Sequence, residues 1–307
     1  MRRTIIHIGA NKTASTTLQR ALFRKHSGLH YVGEDAPGYE SYAPIVNSMV
    51  SDDDLHFPFD ACAKLFEKHR NEEMEKTLLY SNEDVMTSRI PAICARRLHT
   101  FLPDAEILLV VRNQYTAIPS FYANHGAFLK PAPPSYFNRY VSFEDWMKFQ
   151  TMFIKYGALA SFRYDKLLSV YAELFGEDRV HVLLFEEFVE DKQQFVRKLS
   201  QILNIDPDEA IKLLSVGHER KRYTGRMLAY NRFRTSFLWG VPLSRYLPFG
   251  QAASKLLHKF LNGGMPAKVV VPDELKQQIH EIYCEDNTML AKKYNLPLER
   301  YGYPMNS

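Results

Sequence analysis

Cysteine is scarce in this chain. Cys62, Cys94 and Cys284, three in 307 residues, are widely separated and odd in number, which excludes a disulfide framework. None has a neighbour at metal-ligand spacing, so reduced, buried thiols are expected, as suits a cytoplasm. A long apolar run is also missing. Met1-Arg2-Arg3 opens as a signal peptide might, but the apolar residues behind it meet Lys12 almost at once, so neither a leader nor a membrane span is expected. An excess of one charge is missing too. A net charge of +4 is too small to imply nucleic acid, though it suffices to draw in an anionic nucleotide. There are no internal repeats and no low-complexity tract. At 46% hydrophobic and 24% charged residues, what remains is an ordinary globular composition with ample core, enough for one large α/β domain or two small ones.

The chain is organised around residues 4 to 19. Thr4 to Ile8 is short, β-branched and apolar, the profile of a buried strand. Gly9 can bend with positive φ. From Ser15 onward Leu18, Ala21 and Leu22 recur at helical spacing. A strand, a tight loop and a helix in that order aim backbone N–H groups and a positive dipole end at an anion. Lys12 adds a mobile cation, and Thr13, Ser15, Thr16 and Thr17 add hydroxyls around Ala14. Two readings stand for the loop alone, a phosphate cradle and a solvated turn. It is not the nucleotide-triphosphate loop, whose second glycine and lysine would fall on Ala14 and Ser15.

Three further segments read as buried strands. Thr77 to Ser81 runs into Asn82-Glu83-Asp84, Glu106 to Val111 runs into Arg112, and Val180 to Phe185 runs into Glu186. Apolar strands alternating with helices predict a parallel β-sheet covered on both faces, an α/β fold. Helices are expected over about 59–70, 90–101, 165–175, 186–203 and 272–294. Another starts near Ser142, capped with Asp145, and runs on through Trp146, Phe149 and Phe153. Residues 28 to 56, with Gly, Pro and Asp52-Asp53-Asp54, read as a variable connecting segment. Beyond Ser215 come a basic run, Arg220-Lys221-Arg222 to Arg226, and an aromatic stretch, 233 to 261. The stretch reads as a substrate-covering lid or as core or oligomer packing; the basic run could also be a solvated turn.

Arg112 stands at a strand end and Ser120 eight positions later. A guanidinium takes phosphate oxygens in bidentate fashion and keeps its charge, and a serine hydroxyl can complete such a site. Pro119 suits the first turn of the following helix. Taken alone, Arg112 reads equally as a surface arginine capping a strand.

Lys12-Thr13-Ala14-Ser15-Thr16-Thr17, preceded by His7-Ile8-Gly9 and followed by Leu18-Gln19, resembles the 5′-phosphosulfate loop of sulfotransferases, Pro-Lys-Ser/Thr-Gly-Thr-Thr. It departs with Asn11 for proline and Ala14-Ser15 where Gly-Thr is commoner. Arg112 to Ser120 resembles the same family's 3′-phosphate signature, and Tyr164 to Leu168 and Glu186-Glu187-Phe188 extend the similarity over most of 4 to 205. The resemblance implies a three-layer, P-loop-like fold in one domain spanning 1–307, with a nucleotide-binding core over 1–205 and a mainly helical part over 206–307.

It further implies 3′-phosphoadenosine 5′-phosphosulfate (PAPS) as donor, PAP as product, no metal, and a bacterial cytoplasmic enzyme. Lys12 would stabilise the bridging oxygen, with Thr13 to Thr17 around the 5′-phosphate. Arg112 and Ser120, joined by the later clamp Arg220, Lys221 and Arg222, would hold the 3′-phosphate. The general base is Glu83 or His125, with His7 a packed core histidine or one supporting the site from behind, and Ser81 and Asp84 secondary candidates. Acceptors in keeping with the resemblance are hydroxylated glycans, glycolipids or small molecules, or a tyrosyl hydroxyl. The aromatic stretch leaves room for peripheral membrane contact. Oligomeric state stays open. The rival readings are a small-molecule P-loop kinase and a non-catalytic nucleotide binder of the same fold.

Overall fold

The computed structural model describes residues 2–10, 12–124, 141–155, 157–216, 224–237 and 250–306. Five strands form one parallel sheet in the order β2-β3-β1-β4-β5, where β1 is Thr4–His7, β2 Leu29–Gly33, β3 Thr77–Ser81, β4 Glu106–Val111 and β5 Val180–Leu184. The expected α/β architecture is therefore the observed one. The three inner strands are buried along almost their whole length, as a sheet covered on both faces requires. After β1 the chain moves towards β2 on one side, and after β4 towards β5 on the other. This divergence makes the carboxyl ends of β1 and β4 a topological switch point, where open α/β sheets bind ligands.

Two elements differ from the reading of 28–56 as a connector. Leu29–Gly33 is the edge strand β2, and Tyr39–Ser51 is a helix containing Pro44. Glycine and proline punctuate sequence, but tertiary packing overrides them here: Tyr42 is buried against the rings of Tyr39 and His69. The expected helix over 186–203 is broken. Phe185–Glu190 ends at Asp191, which turns extended and caps Lys192–Leu203 by accepting from the Gln194 N–H at 2.9 Å. The second helix buries Phe195, Val196, Leu199 and Leu203 in one cluster with Leu108, Val110, Leu18 and Leu22. Pro119 lies inside helix Gln114–Asn124 and not in its first turn, so the carbonyl one turn before it loses its helical donor. Ser142 does cap helix Phe143–Met152, its Oγ accepting from the Asp145 N–H at 3.1 Å; Phe153 already lies beyond the end.

The chain forms two compact units. One comprises Met1–Asn113, Ser161–Glu219 and Tyr283–Ser307 and carries the sheet; the other comprises Gln114–Ala160 and Arg220–Ile282. Within the second, Tyr122, Phe143 and Trp146 form an aromatic cluster, and Gly225–Phe237 pairs with Gly250–Asn262. Among the described residues, no helix is long and apolar enough to cross a membrane.

Candidate functional site

Parallel pairing puts the residues after β1, β3 and β4 on one edge of the sheet. The loop after β1 turns through left-handed backbone at Lys12 (φ 69°) and Ala14 (φ 63°), with Thr13 between them outside that region. Such alternation gathers successive N–H groups into an anion-binding concavity. Gly9 is not where the positive φ falls. Its glycine is needed for closeness instead, because a Cβ there would lie 3.0 Å from Glu83 Cγ, 3.1 Å from His7 Cε1 and 3.3 Å from Ser15 Oγ. Glu83, half-buried just past β3, therefore lies across the root of the loop.

Two of the loop hydroxyls point into the loop itself. Thr13 Oγ1 donates to the Ala10 carbonyl at 2.7 Å and Ser15 Oγ to the same carbonyl at 3.0 Å, and both side chains are buried. Thr16 and Thr17 are half-buried at the start of the helix. Ala14 is the N-cap and its methyl offers no cap. The first turn, Ser15–Thr17, continues as wider π winding over Leu18–Phe23, marked by the Arg24 N–H donating five residues back to the Gln19 carbonyl at 3.0 Å. This winding belongs to a buried face of Leu18, Ala21, Leu22 and Phe23.

Behind the loop, Ser81 Oγ accepts from Gln19 Nε2 at 2.9 Å and bonds His7 Nδ1 at 2.7 Å. His7 has no exposed surface, and burial lowers its pKa to about 4, so the ring is neutral near pH 7. Its Nε2 finds no hydrogen-bond partner among the described residues. His7 is thus the packed histidine the sequence suggests.

Arg112 leaves the end of β4 and donates through Nη1 to the Lys12 carbonyl at 2.8 Å. Its guanidinium carbon lies 4.6 Å from the centre of the Phe185 ring. The Tyr164 hydroxyl donates to the Arg112 carbonyl at 2.9 Å, and burial pushes that phenol well above its ordinary range, keeping it a neutral donor. Next to it, Glu186 accepts from the Asn113 N–H at 3.0 Å and from the Tyr303 hydroxyl at 2.8 Å. Tyr164, Phe185 and Glu186 were visible in sequence only as family-like segments. Their work of fixing Arg112 and its neighbour depends on helix starts and a strand end meeting in space.

Ser120 is half-buried on helix Gln114–Asn124, in the second unit. His125, Arg220, Lys221 and Arg222 lie outside the described residues. Arg226, at the end of the basic run, is stacked 4.5 Å over Phe260 and donates to the Phe260 carbonyl at 3.3 Å. Among the described residues no group of three or more His, Cys, Asp or Glu could hold a metal ion.

A family model described as Sulfotransferase family matches residues 4–209. No curated protein matches the sequence. Among solved structures, a sulfotransferase from Alicyclobacillus acidocaldarius is 16% identical, with a TM-score of 0.54 over 98% of this chain and 99% of that one. A mouse sulfotransferase, SULT7A1, complexed with PAP is 13% identical, with a TM-score of 0.39 over 70% of this chain and 64% of that one. The sulfotransferase STF1 from Mycobacterium tuberculosis H37Rv is 15% identical, with a TM-score of 0.40 over 70% of this chain and 71% of that one. The first of these likenesses establishes a shared fold.

Proposed function

The chain belongs to the sulfotransferase family, and from that premise we propose that it moves the sulfuryl group of PAPS to a hydroxyl of a carbohydrate, a glycolipid or another small acceptor. The observation that carries this reading is the contact of Arg112 with the Lys12 carbonyl, which joins the two anion-binding motifs across the β1–β4 switch point. One doubly phosphorylated nucleotide can be gripped by both.

In this reading the N–H groups of residues 12 to 17, with Thr16 and Thr17, hold the 5′-phosphate. Thr13 and Ser15, committed to the Ala10 carbonyl, shape the loop around it. Arg112 takes the 3′-phosphate, assisted by Ser120 and by the basic run Arg220-Lys221-Arg222. The donor, when bound, supplies a sulfur whose bond to the phosphate oxygen breaks as the acceptor oxygen attacks in line. Lys12 offsets the charge gathering on the departing oxygen, and Glu83 takes the acceptor's proton, with His125 the other candidate. Positioning and electrostatics do most of the work in such transfers. Lysine, arginine and the helix dipole provide the positive charge, so the reading calls for no metal.

Thermal-shift titration tests it. Stabilisation by PAP, with none from ATP and magnesium, is the expected result, followed by transfer of labelled sulfate from PAPS to a hydroxylated acceptor. Stabilisation by ATP and magnesium alone would point to a kinase. PAP binding with no transfer across an acceptor screen would point to a non-catalytic binder.

A further inference from the structure

Charge is distributed very unevenly along this chain. Residues 220 to 272 hold ten Lys and Arg and no Asp or Glu, while the remaining 29 Lys and Arg stand against all 35 acids. A modest net charge therefore conceals a strongly basic segment on an acidic body.

Within the second unit, the paired helices Gly225–Phe237 and Gly250–Asn262 carry part of that segment. Met227, Asn231, Thr235 and Leu261 are buried residues of the pair. On the first helix Arg226, Phe233 and Phe237 share one face by helical spacing, and the two rings lie 5.3 Å apart. Arg226 stacks on Phe260 of the second helix, where Leu256 sits one turn earlier on the same face. These are not core residues: Phe237 is 71% exposed, Leu256 72% and Phe260 59%. Lys255 and Lys259 stand beside them, also exposed, as are Arg232, Met265 and Lys268.

We propose that this helical pair docks on an anionic lipid bilayer. Interleaved basic and apolar side chains suit that surface, the cations meeting lipid phosphates while the apolar groups enter the headgroup–acyl boundary. A nucleic acid would use the cations but leave Leu256, Met265 and Val270 in water. A second copy of the chain would set one acid-free surface against another, and like charges would repel. The inference does not depend on the donor reading.

The test is flotation of the full chain with phosphatidylglycerol/phosphatidylcholine vesicles and with phosphatidylcholine vesicles alone, without nucleotide. Binding to the anionic vesicles, weakened by salt and absent from neutral ones, is expected. Phe237→Glu with Phe260→Glu, and separately Lys255→Glu with Lys259→Glu, should each lower partitioning by at least roughly tenfold, since one basic residue near an anionic surface is worth about fivefold. Melting temperature and PAP-induced shift should stay as in the parent, which separates lost docking from lost folding. Absence of flotation, or flotation unchanged in both variants, overturns the proposal. So does loss of a dimer or of RNA retention in the variants without any vesicle binding in the parent. A parent chain that floats but ignores PAP would sink the donor reading and leave this one intact.

Discussion

Arg112 donates to the backbone carbonyl of Lys12 at 2.8 Å across a sequence separation of a hundred residues. One is the first residue after β4 and the other the centre of the loop after β1, and the neighbouring strands fix the distance between them. A guanidinium keeps its charge at any ordinary pH, so the side chain that braces the loop also sets a permanent cation beside it.

Substitution of Arg112 by Ala should therefore weaken PAP affinity by roughly 10- to 100-fold, the range of charge-assisted hydrogen bonds, with a smaller effect on turnover at saturation. Lys12→Ala should weaken donor binding and also lower turnover by at least roughly a hundredfold. Calorimetric titration with PAP and steady-state sulfate transfer distinguish the two patterns. Equal, small effects on both constants in both variants would remove these residues from the donor site.

Glu83→Gln keeps the side-chain volume beside Gly9 but cannot accept a proton at neutral pH. Donor affinity should stay near the parent value while turnover falls by roughly 10²- to 10⁴-fold, the usual weight of a general base. A near-normal rate would move that role to His125 or elsewhere.

Ala14 holds a left-handed backbone that costs an L-residue about 1–2 kcal/mol. Ala14→Gly should relieve that strain while giving back about 0.4–1 kcal/mol through the looser unfolded chain. A net stabilisation of about 0.5–1 kcal/mol is expected, measured by denaturant unfolding. Destabilisation would mean that the methyl contributes packing that outweighs the backbone strain.

His7 makes folding depend on pH. Its pKa falls from 6.5 to about 4 in the folded chain because burial disfavours the cation. Between those values the unfolded state binds more protons, so this contribution is complete above about pH 6.5 and is lost as pH falls towards 4. At about 1.36 kcal/mol per pKa unit, the loss amounts to about 3 kcal/mol. His7→Gln should flatten the stability profile across that window, read from urea midpoints at several pH values. His69, also lowered to about 4 by burial, keeps its own slope in the same window.

The sequence by itself determined the parallel sheet, the turn between its first strand and helix, and the arginine at a strand end. Each is a local signal: continuous apolar runs, a strand–loop–helix order, a charged residue where an apolar run stops. It also determined the acid-free segment at 220–272, because charge can be counted. Tertiary structure alone decided that Gly9 serves close approach while Lys12 and Ala14 carry the left-handed turns, since the steric room at Gly9 depends on Glu83, brought in from beyond β3. It alone turned the hydroxyls of Thr13 and Ser15 inward onto the Ala10 carbonyl, and made Leu29–Gly33 a strand by giving β3 an edge to pair with. The close approach of Glu83 to Gly9 and the pairing of β2 with β3 rest on partners dozens of positions away, and no short window along the chain contains them.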